Sequence, residues 1–391
     1  MLRRETRKCP IQFVFAKTLF DGGLEPRFNI LIEIENGRIK SLCGLNEKDV
    51  PLNALNAPIV APGFIDIQIN GAMDRQFTDD PTLEAIEAIA TGARQGGTAH
   101  VLPTFTTAPG ETYLTALRAV EKAVTIGVPG VLGMHLEGPF LSPKRPGIHS
   151  VDNIRPLEDQ DIKNLGEFKG GKLLVTIAPE HQADGMLKKL VATKAIVFAG
   201  HSDATESQIR IAEVGGLVGA THLFNAMSQM TGRAPGIVGA ILSSTSLAAG
   251  IIADGHHVSW SNLAVAARLL PDRLCLVTDA MSTLAGKNTQ FCIHGKTVRL
   301  KDGKITDDNG RLAGAHIAMD ECVRNTIRYA NVTPARAVAM ASKNPASVLG
   351  LHQELGSIKV GYRASLTIFN KDMETTNVIV DGEIIKAEMP V

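Results

Sequence analysis

Between residues 59 and 354 the chain sets short apolar runs between amphipathic stretches of helical spacing, and the runs number eight. They are Phe64 to Ile69, Ala99 to Pro103, Val131 to Leu136, Leu173 to Ala178, Ile196 to Gly200, Leu217 to Thr221, Ala248 to Ala253 and Leu274 to Thr278. Each is short for a helix and too continuously apolar for a strand with one wet face, so each reads as a strand buried on both faces of a parallel sheet. Thr82 to Arg94 after Asp80-Pro81, Tyr113 to Val124, Gln208 to Glu213 and Leu263 to Leu270 supply crossover helices. Eight strand-helix units in about 220 residues predict an α/β fold of the TIM-type (β/α)8 barrel class and not an open doubly wound sheet.

Both ends of the chain have a different rhythm. Phe28 to Ile34 alternates with period two, turns at Asn36-Gly37 and resumes at Arg38 to Leu42, while Ser365 to Phe369 and Asn377 to Val380 are followed by Asp381-Gly382. Ile11 to Ala16 reads as a further strand. Neither end can bury a core alone, so 1–58 and 355–391 are expected to join into one small β-sandwich domain, leaving 59–354 for the barrel. Residues 291–313 alternate and turn at His294-Gly295, Asp302-Gly303 and Asn309-Gly310, which predicts a β-hairpin flap ahead of two helical stretches, Asp320 to Ala330 and Ala335 to Leu349.

Composition limits the partners. Lys+Arg and Asp+Glu both number 40, so the broad attraction behind nucleic-acid or anionic-membrane binding is absent, and an anionic ligand must be held by a few placed groups. The 5 cysteines are odd in number, scattered and without a CxxC pair, which points to free thiols and a cytoplasmic home. The basic start Met1 to Lys8 resembles the opening of a signal peptide, yet Lys17 interrupts the apolar run behind it. No stretch approaches the ~20 apolar residues of a membrane span.

In a barrel, the C-terminal strand ends face one pocket. Here they read His135-Leu136-Glu137 on the third strand, Gly200-His201-Ser202-Asp203 on the fifth, Thr221-His222 on the sixth, Asp254-Gly255-His256-His257 on the seventh and Thr278-Asp279 on the eighth. Glu137, His201 and His222 make a two-nitrogen, one-oxygen set that suits a divalent cation, Zn²⁺ foremost with Fe²⁺ as an alternative. Asp279 is then placed to move a proton between water and a leaving group. The competing readings are a helix cap for Asp279, a hydrogen-bonded interior residue for His135, and surface or structural roles for His181, His294 and His352.

Ala61-Pro62-Gly63-Phe64-Ile65-Asp66, His135 to Pro139, Gly200 to Ala204, Thr221-His222-Leu223-Phe224-Asn225-Ala226-Met227, Asp254 to Val258, Val277 to Met281 and Leu312 to Gly314 together resemble the amidohydrolase superfamily, and within it the sugar-phosphate deacetylases. The resemblance spans essentially the whole chain. It implies hydrolysis of the acetamide of N-acetylglucosamine 6-phosphate, with the galactosamine epimer or a non-catalytic binding subunit as rivals. It implies the same ligands Glu137, His201 and His222 for one metal, and Asp279 as acid/base. His149, after Ile148, would approach the acetyl carbonyl; Asn225 and Ala226 would hold sugar and phosphate oxygens, partly through main-chain N–H groups. Arg233 and His257 would bind phosphate across a homodimer interface, with Asp254 in the same block, and Leu312, Ala313 and Gly314 would close over the sugar. Asn225 also opens a turn, so a structural role competes for it, and Lys144 and Arg145 read as loop charges. Relatives with two metals carry His-x-His on the first strand, where this chain has Gln68-Ile69-Asn70, which implies a single cation.

Overall fold

The structure, a computed structural model, describes residues 8–385. Met1 to Arg7 of the basic start, and Lys386 to Val391 at the far end, lie outside the described residues. Eight parallel strands run in chain order around a barrel: Phe64–Ile69, Thr98–Thr106, Gly133–Glu137, Lys172–Ile177, Ile196–Ala199, Gly219–Ala220, Ala248–Ile251 and Leu274–Leu276. Each of the eight apolar runs seeds one of them. The later strands stop short of the predicted ends because the chain leaves extended geometry where the polar residues begin, with positive φ at His201, His222 and Asp279.

The eighth strand meets the first without a regular ladder. Main-chain bonds from Asp279 N to Gln68 O (2.8 Å) and from Asn70 N to Ala280 O (2.8 Å) span the seam. Asp66, on the first strand and fully buried, accepts from Gln68 N, Thr278 N and the Thr278 hydroxyl, so one carboxylate ties both sides of the seam. Burial pushes its pKa up to about 7 even against those hydrogen bonds. Inside and around the barrel a single large core includes Phe64, Leu102, Phe105, Leu136, Val175, Phe198 and Leu276. Each such side chain contributes about 1.5–3 kcal/mol relative to an exposed one.

The crossover helices start where the sequence places them. Leu83–Gln95 follows Thr82, whose hydroxyl accepts from Ala85 N, and Glu206–Val214 opens with a capping box between Thr205 and Gln208. The stretch from Ala335 to Leu349 is two helices, Pro334–Ala341 and Lys343–Val348, broken at Ser342, with Pro345 unable to donate to the preceding turn.

Strands from both ends of the chain build one mixed sheet in the order Lys8–Pro10, Glu383–Ile385, Thr375–Val380, Leu366–Phe369, Leu55–Pro62, Phe13–Leu19, Arg27–Glu35, Arg38–Gly44. It folds over its own core of Val14, Ile30, Ile32, Ile39, Val60, Leu366 and Ile379 as a small β-sandwich. The strand expected at Ile11 to Ala16 begins at Phe13 and continues through Lys17, which takes an outward position. Asn36 and Gly37 both adopt positive φ, the two-residue turn that matches strand twist.

The flap is larger than a hairpin. Gln290–Ile293, Lys296–Lys301, Lys304–Asp307 and Leu312–Ala315 form a four-stranded antiparallel sheet, because each predicted turn reverses the chain. It has its own small core of Ile293, Val298, Ile305, Ala313 and Met281, with Ile148 packed against it. No helix among the described residues is long and apolar enough to cross a membrane, and Cys43, Cys275, Cys292 and Cys322 are free thiols.

Candidate active site

The strand ends open into a cavity of about 560 Å³ lined by Asn70, Glu137, His149, His201, His222 and Asp279, with the flap at its rim. Glu137 ends the third strand and is 2 % exposed. Its Oε1 lies 3.2 Å from His201 Nε2 and 2.9 Å from His222 Nε2, while the two imidazole nitrogens are 3.1 Å apart. Burial raises the carboxyl pKa, but the hydrogen bonds from His201 and His222 outweigh it and hold Glu137 well below the usual carboxylate range. His222 moves upward: burial works against its charged form, and the Glu137 carboxylate more than compensates.

These three residues fit a cation. His201 Nδ1 donates to Arg145 O across 3.0 Å, which aims Nε2 at Glu137 Oε1 and His222 Nε2. One ligand atom from each residue lies within 4.8 Å of the others, all three residues buried. Two imidazole nitrogens and a carboxylate oxygen converging in a dry site are the donor set of a divalent metal.

Asp279 stands beside the cluster and is 8 % exposed. Burial pushes its pKa up to about 6, reinforced by the negative charge of Glu137. Two amides restrain it. Gln68 Nε2 lies 3.2 Å from Asp279 Oδ1 and 3.2 Å from Glu137 Oε2, and Asn70 Nδ2 donates to Asp279 Oδ1 at 2.6 Å. The first strand thus presents N–H donors to the carboxylates. Asn70 Oδ1 is buried with no partner among the described residues.

His149 follows the third strand on a long loop and is buried, with Nδ1 2.8 Å from the Thr107 hydroxyl. Its ring lies 4.3 Å from that of His201, tilted by 59°, and stacks on His294 at 5.7 Å. Burial, and then the neighbouring His201, hold His149 well below the ordinary imidazole pKa. Of the flap residues, Leu312 and Gly314 line the cavity, whereas Ala313 is fully buried in the flap core. That corrects the expectation that all three face the sugar: successive strand residues point to opposite faces.

The phosphate residues also divide. His257, expected to reach a neighbour's site, lines this chain's own cavity because Asp254 pins its Nδ1 at 2.6 Å and accepts its main-chain N–H. Asp254 itself does not line the cavity, and its carboxyl is held low by His257 against the effect of burial. Arg233 lies exposed on the loop after the sixth strand, outside the cavity of its own chain. Asn225 and Ala226 both line the cavity, but the Asn225 main-chain N–H and side-chain amide are spent on His222 O, at 2.9 and 3.2 Å. Of the two, Ala226 keeps a main-chain N–H without a partner among the described residues.

The family model for the amidohydrolase family matches residues 59–385. The chain belongs to the amidohydrolase family. Membership makes it a hydrolase that acts on an amide. It is 33% identical over 343 residues to an N-acetylglucosamine-6-phosphate deacetylase of Haemophilus influenzae, covering 87% of this chain and 88% of that one. It is 36% identical over 379 residues to an N-acetylgalactosamine-6-phosphate deacetylase of a Shewanella species, covering 95% and 94%. The crystal structure of N-acetylglucosamine-6-phosphate deacetylase from Pasteurella multocida superposes with a TM-score of 0.90 at 32% identity, covering 96% of this chain and all of that one.

For an amidohydrolase, the residues that sequence reasoning passes over are instructive. His294, read as surface or structural, is a half-buried flap residue stacked on His149 and 3.2 Å from the Thr106 hydroxyl. Arg311 lines the cavity and donates to Gly147 O at 2.8 Å, joining the flap to the loop that carries His149. Thr106 ends the second strand and Thr107 follows it, but the apolar run stops at Pro103, so the strand-end rule does not reach them. His135 hydrogen-bonds Thr176 at 2.7 Å inside the barrel and is pushed down to about 4 by burial, while His181 bonds Leu141 O.

Proposed function

We propose that this chain is a metal-dependent deacetylase that hydrolyses the acetamide of N-acetylglucosamine 6-phosphate to glucosamine 6-phosphate and acetate, in amino-sugar catabolism. The reading rests on one observation above the others: a buried Glu137, His201 and His222 cluster with Asp279 beside it on the floor of a cavity. Its family membership and its similarity to deacetylases of such sugar phosphates support it. Glu137, His201 and His222 would hold one divalent cation, Zn²⁺ foremost and Fe²⁺ second, which when bound supplies the Lewis acidity that acidifies a water and polarises a carbonyl oxygen.

Asp279 acts first as base and then as acid. Its carboxylate takes a proton from the attacking water as the water oxygen bonds to the acetamide carbon and the C=O π pair moves onto oxygen. His149 donates a hydrogen bond to that oxygen as charge gathers there. The protonated Asp279 then gives its proton to nitrogen, the C–N bond breaks with its electron pair going to nitrogen, and the amino sugar and acetate separate. A carboxyl lifted toward neutrality by burial is suited to taking and returning the same proton.

His257, aimed by Asp254, and the free Ala226 N–H hold the phosphate, while Asn225, Ile148, Leu312 and Gly314 shape the sugar site. Arg233, exposed and outside its own cavity, reaches the site of a second copy in a homodimer. The enzyme works in the cytoplasm. The same reading assigns 1–58 with 355–391 to the small β domain and 59–354 to the catalytic barrel, although the Leu55–Pro62 strand carries the small sheet past residue 58.

The Shewanella relative supports a second reading, in which the galactosamine epimer is the better substrate. Acetate release is measured with both sugar phosphates and the unphosphorylated sugar, alongside metal per chain in the same preparation. Metal-loaded protein that releases no acetate from either sugar phosphate overturns deacetylation, and a higher kcat/KM for the galacto epimer selects the second reading.

A further inference from the structure

The hydrogen-bond partner of His149 lies on a strand that contributes no ligand. Thr107 is fully buried at the end of the second strand, and its hydroxyl has His149 Nδ1, 2.8 Å away, as its one partner among the described residues. The close approach is made possible by Gly138, where a Cβ would stand 2.1 Å from Thr107 Oγ1. The His149 ring packs against His201, tilted by 59° at 4.3 Å between centroids, and stacks on His294 at 5.7 Å. Nε2 has no partner among the described residues, and His149 lines the cavity.

We infer that Thr107 is a positioning residue whose hydroxyl donates to His149 Nδ1 and thereby fixes the imidazole proton on Nε2, facing the substrate. A hydroxyl has one proton to give, and a buried one must give it to an acceptor. In this site the acceptor in reach is Nδ1. If Nδ1 carried the proton, the Thr107 hydrogen would be stranded in a dry pocket and Nε2 would offer the cavity a lone pair, which cannot stabilise an oxyanion. Thr107 therefore selects the one neutral tautomer that can serve as the donor. The inference rests on the role given to His149 above.

The tautomer is read directly from two-bond ¹H–¹⁵N correlations of histidine-labelled, zinc-loaded protein without substrate, with His149 assigned by its loss in His149→Gln. Thr107 as donor gives an Nε2–H pattern; an Nδ1–H pattern overturns the inference, whether or not the protein proves to be a deacetylase. In turnover, Thr107→Val lowers kcat about 10- to 100-fold with KM within about 3-fold, the scale seen when the partner behind a functional histidine is lost. Thr107→Ser, which keeps the hydroxyl, restores most of the rate. Equal loss in the Ser and Val variants, or full kcat in Val, also overturns it. Absence of acetate release by the wild type sinks the proposed function and leaves the tautomer spectrum to decide on Thr107.

Discussion

Asn70 donates to Asp279 through a 2.6 Å hydrogen bond between Nδ2 and Oδ1, so an amide just past the first strand steadies a carboxylate just past the eighth. Donation to the charged form lowers a carboxyl pKa, and here it opposes the rise caused by burial and by Glu137. Replacing Asn70 with Ala removes that donor. The acid limb of kcat/KM should move to higher pH and kcat fall about 10-fold or more, with metal content unchanged. A pH profile that superposes on the wild type argues that Asn70 only fills space.

Asp279→Asn keeps the shape and the neighbouring amides but cannot take a proton from water. Turnover should fall by about 10²- to 10⁴-fold with circular dichroism and bound metal preserved. Retention of near-normal kcat removes Asp279 as the base.

The Glu137, His201 and His222 cluster predicts that chelation abolishes activity and that one equivalent of Zn²⁺ per chain restores it. Because the cation binds the folded protein, free metal at about 100 times Kd should add about 2.7 kcal/mol of stability, visible as a higher Tm. Glu137→Gln should lose both the metal and the Tm increment, which inductively coupled plasma analysis and calorimetry check together.

Asp66 gives the barrel seam a pH dependence. Its carboxyl is raised from 3.8 to about 7 in the folded protein, so between those values the folded state keeps a proton the unfolded chain has shed. Its stabilising contribution is therefore complete below the unfolded pKa and is lost as pH rises through the folded one. Asp66→Asn should flatten the decline of Tm between pH 4 and pH 7. An unchanged slope means the carboxylate is not the group responsible.

Arg233 tests the second copy. If it serves a neighbour's site, Arg233→Ala raises KM for the phosphorylated substrate, and mixing it with Asp279→Asn restores part of the activity, since a mixed dimer holds one site with both groups intact. Mixing without recovery argues for a phosphate site complete within one chain.

The strand-end rule reaches Glu137, His201, His222 and Asp279 without coordinates because a parallel barrel forces successive strand ends toward one mouth, whatever the loops do. Ala313 shows its limit: three consecutive residues were expected over the sugar, and strand alternation turns the middle one inward. Thr107 and His294 show another, since neither residue carries a sequence mark that separates it from any polar residue near a turn.

Sequence alone determined the eight-strand barrel, the shared sheet of the two ends and the four titratable residues that meet at the barrel mouth, because apolar periodicity and strand ends are local signals. Only the tertiary structure decided which atoms pair. Gln68 bridges Glu137 and Asp279, Asp254 keeps His257 in its own cavity, and Arg311 joins the flap to the His149 loop, through contacts between residues 3 to 211 apart in the chain. Those pairings depend on side-chain directions that the chain acquires only once the barrel has closed, and no local pattern encodes them.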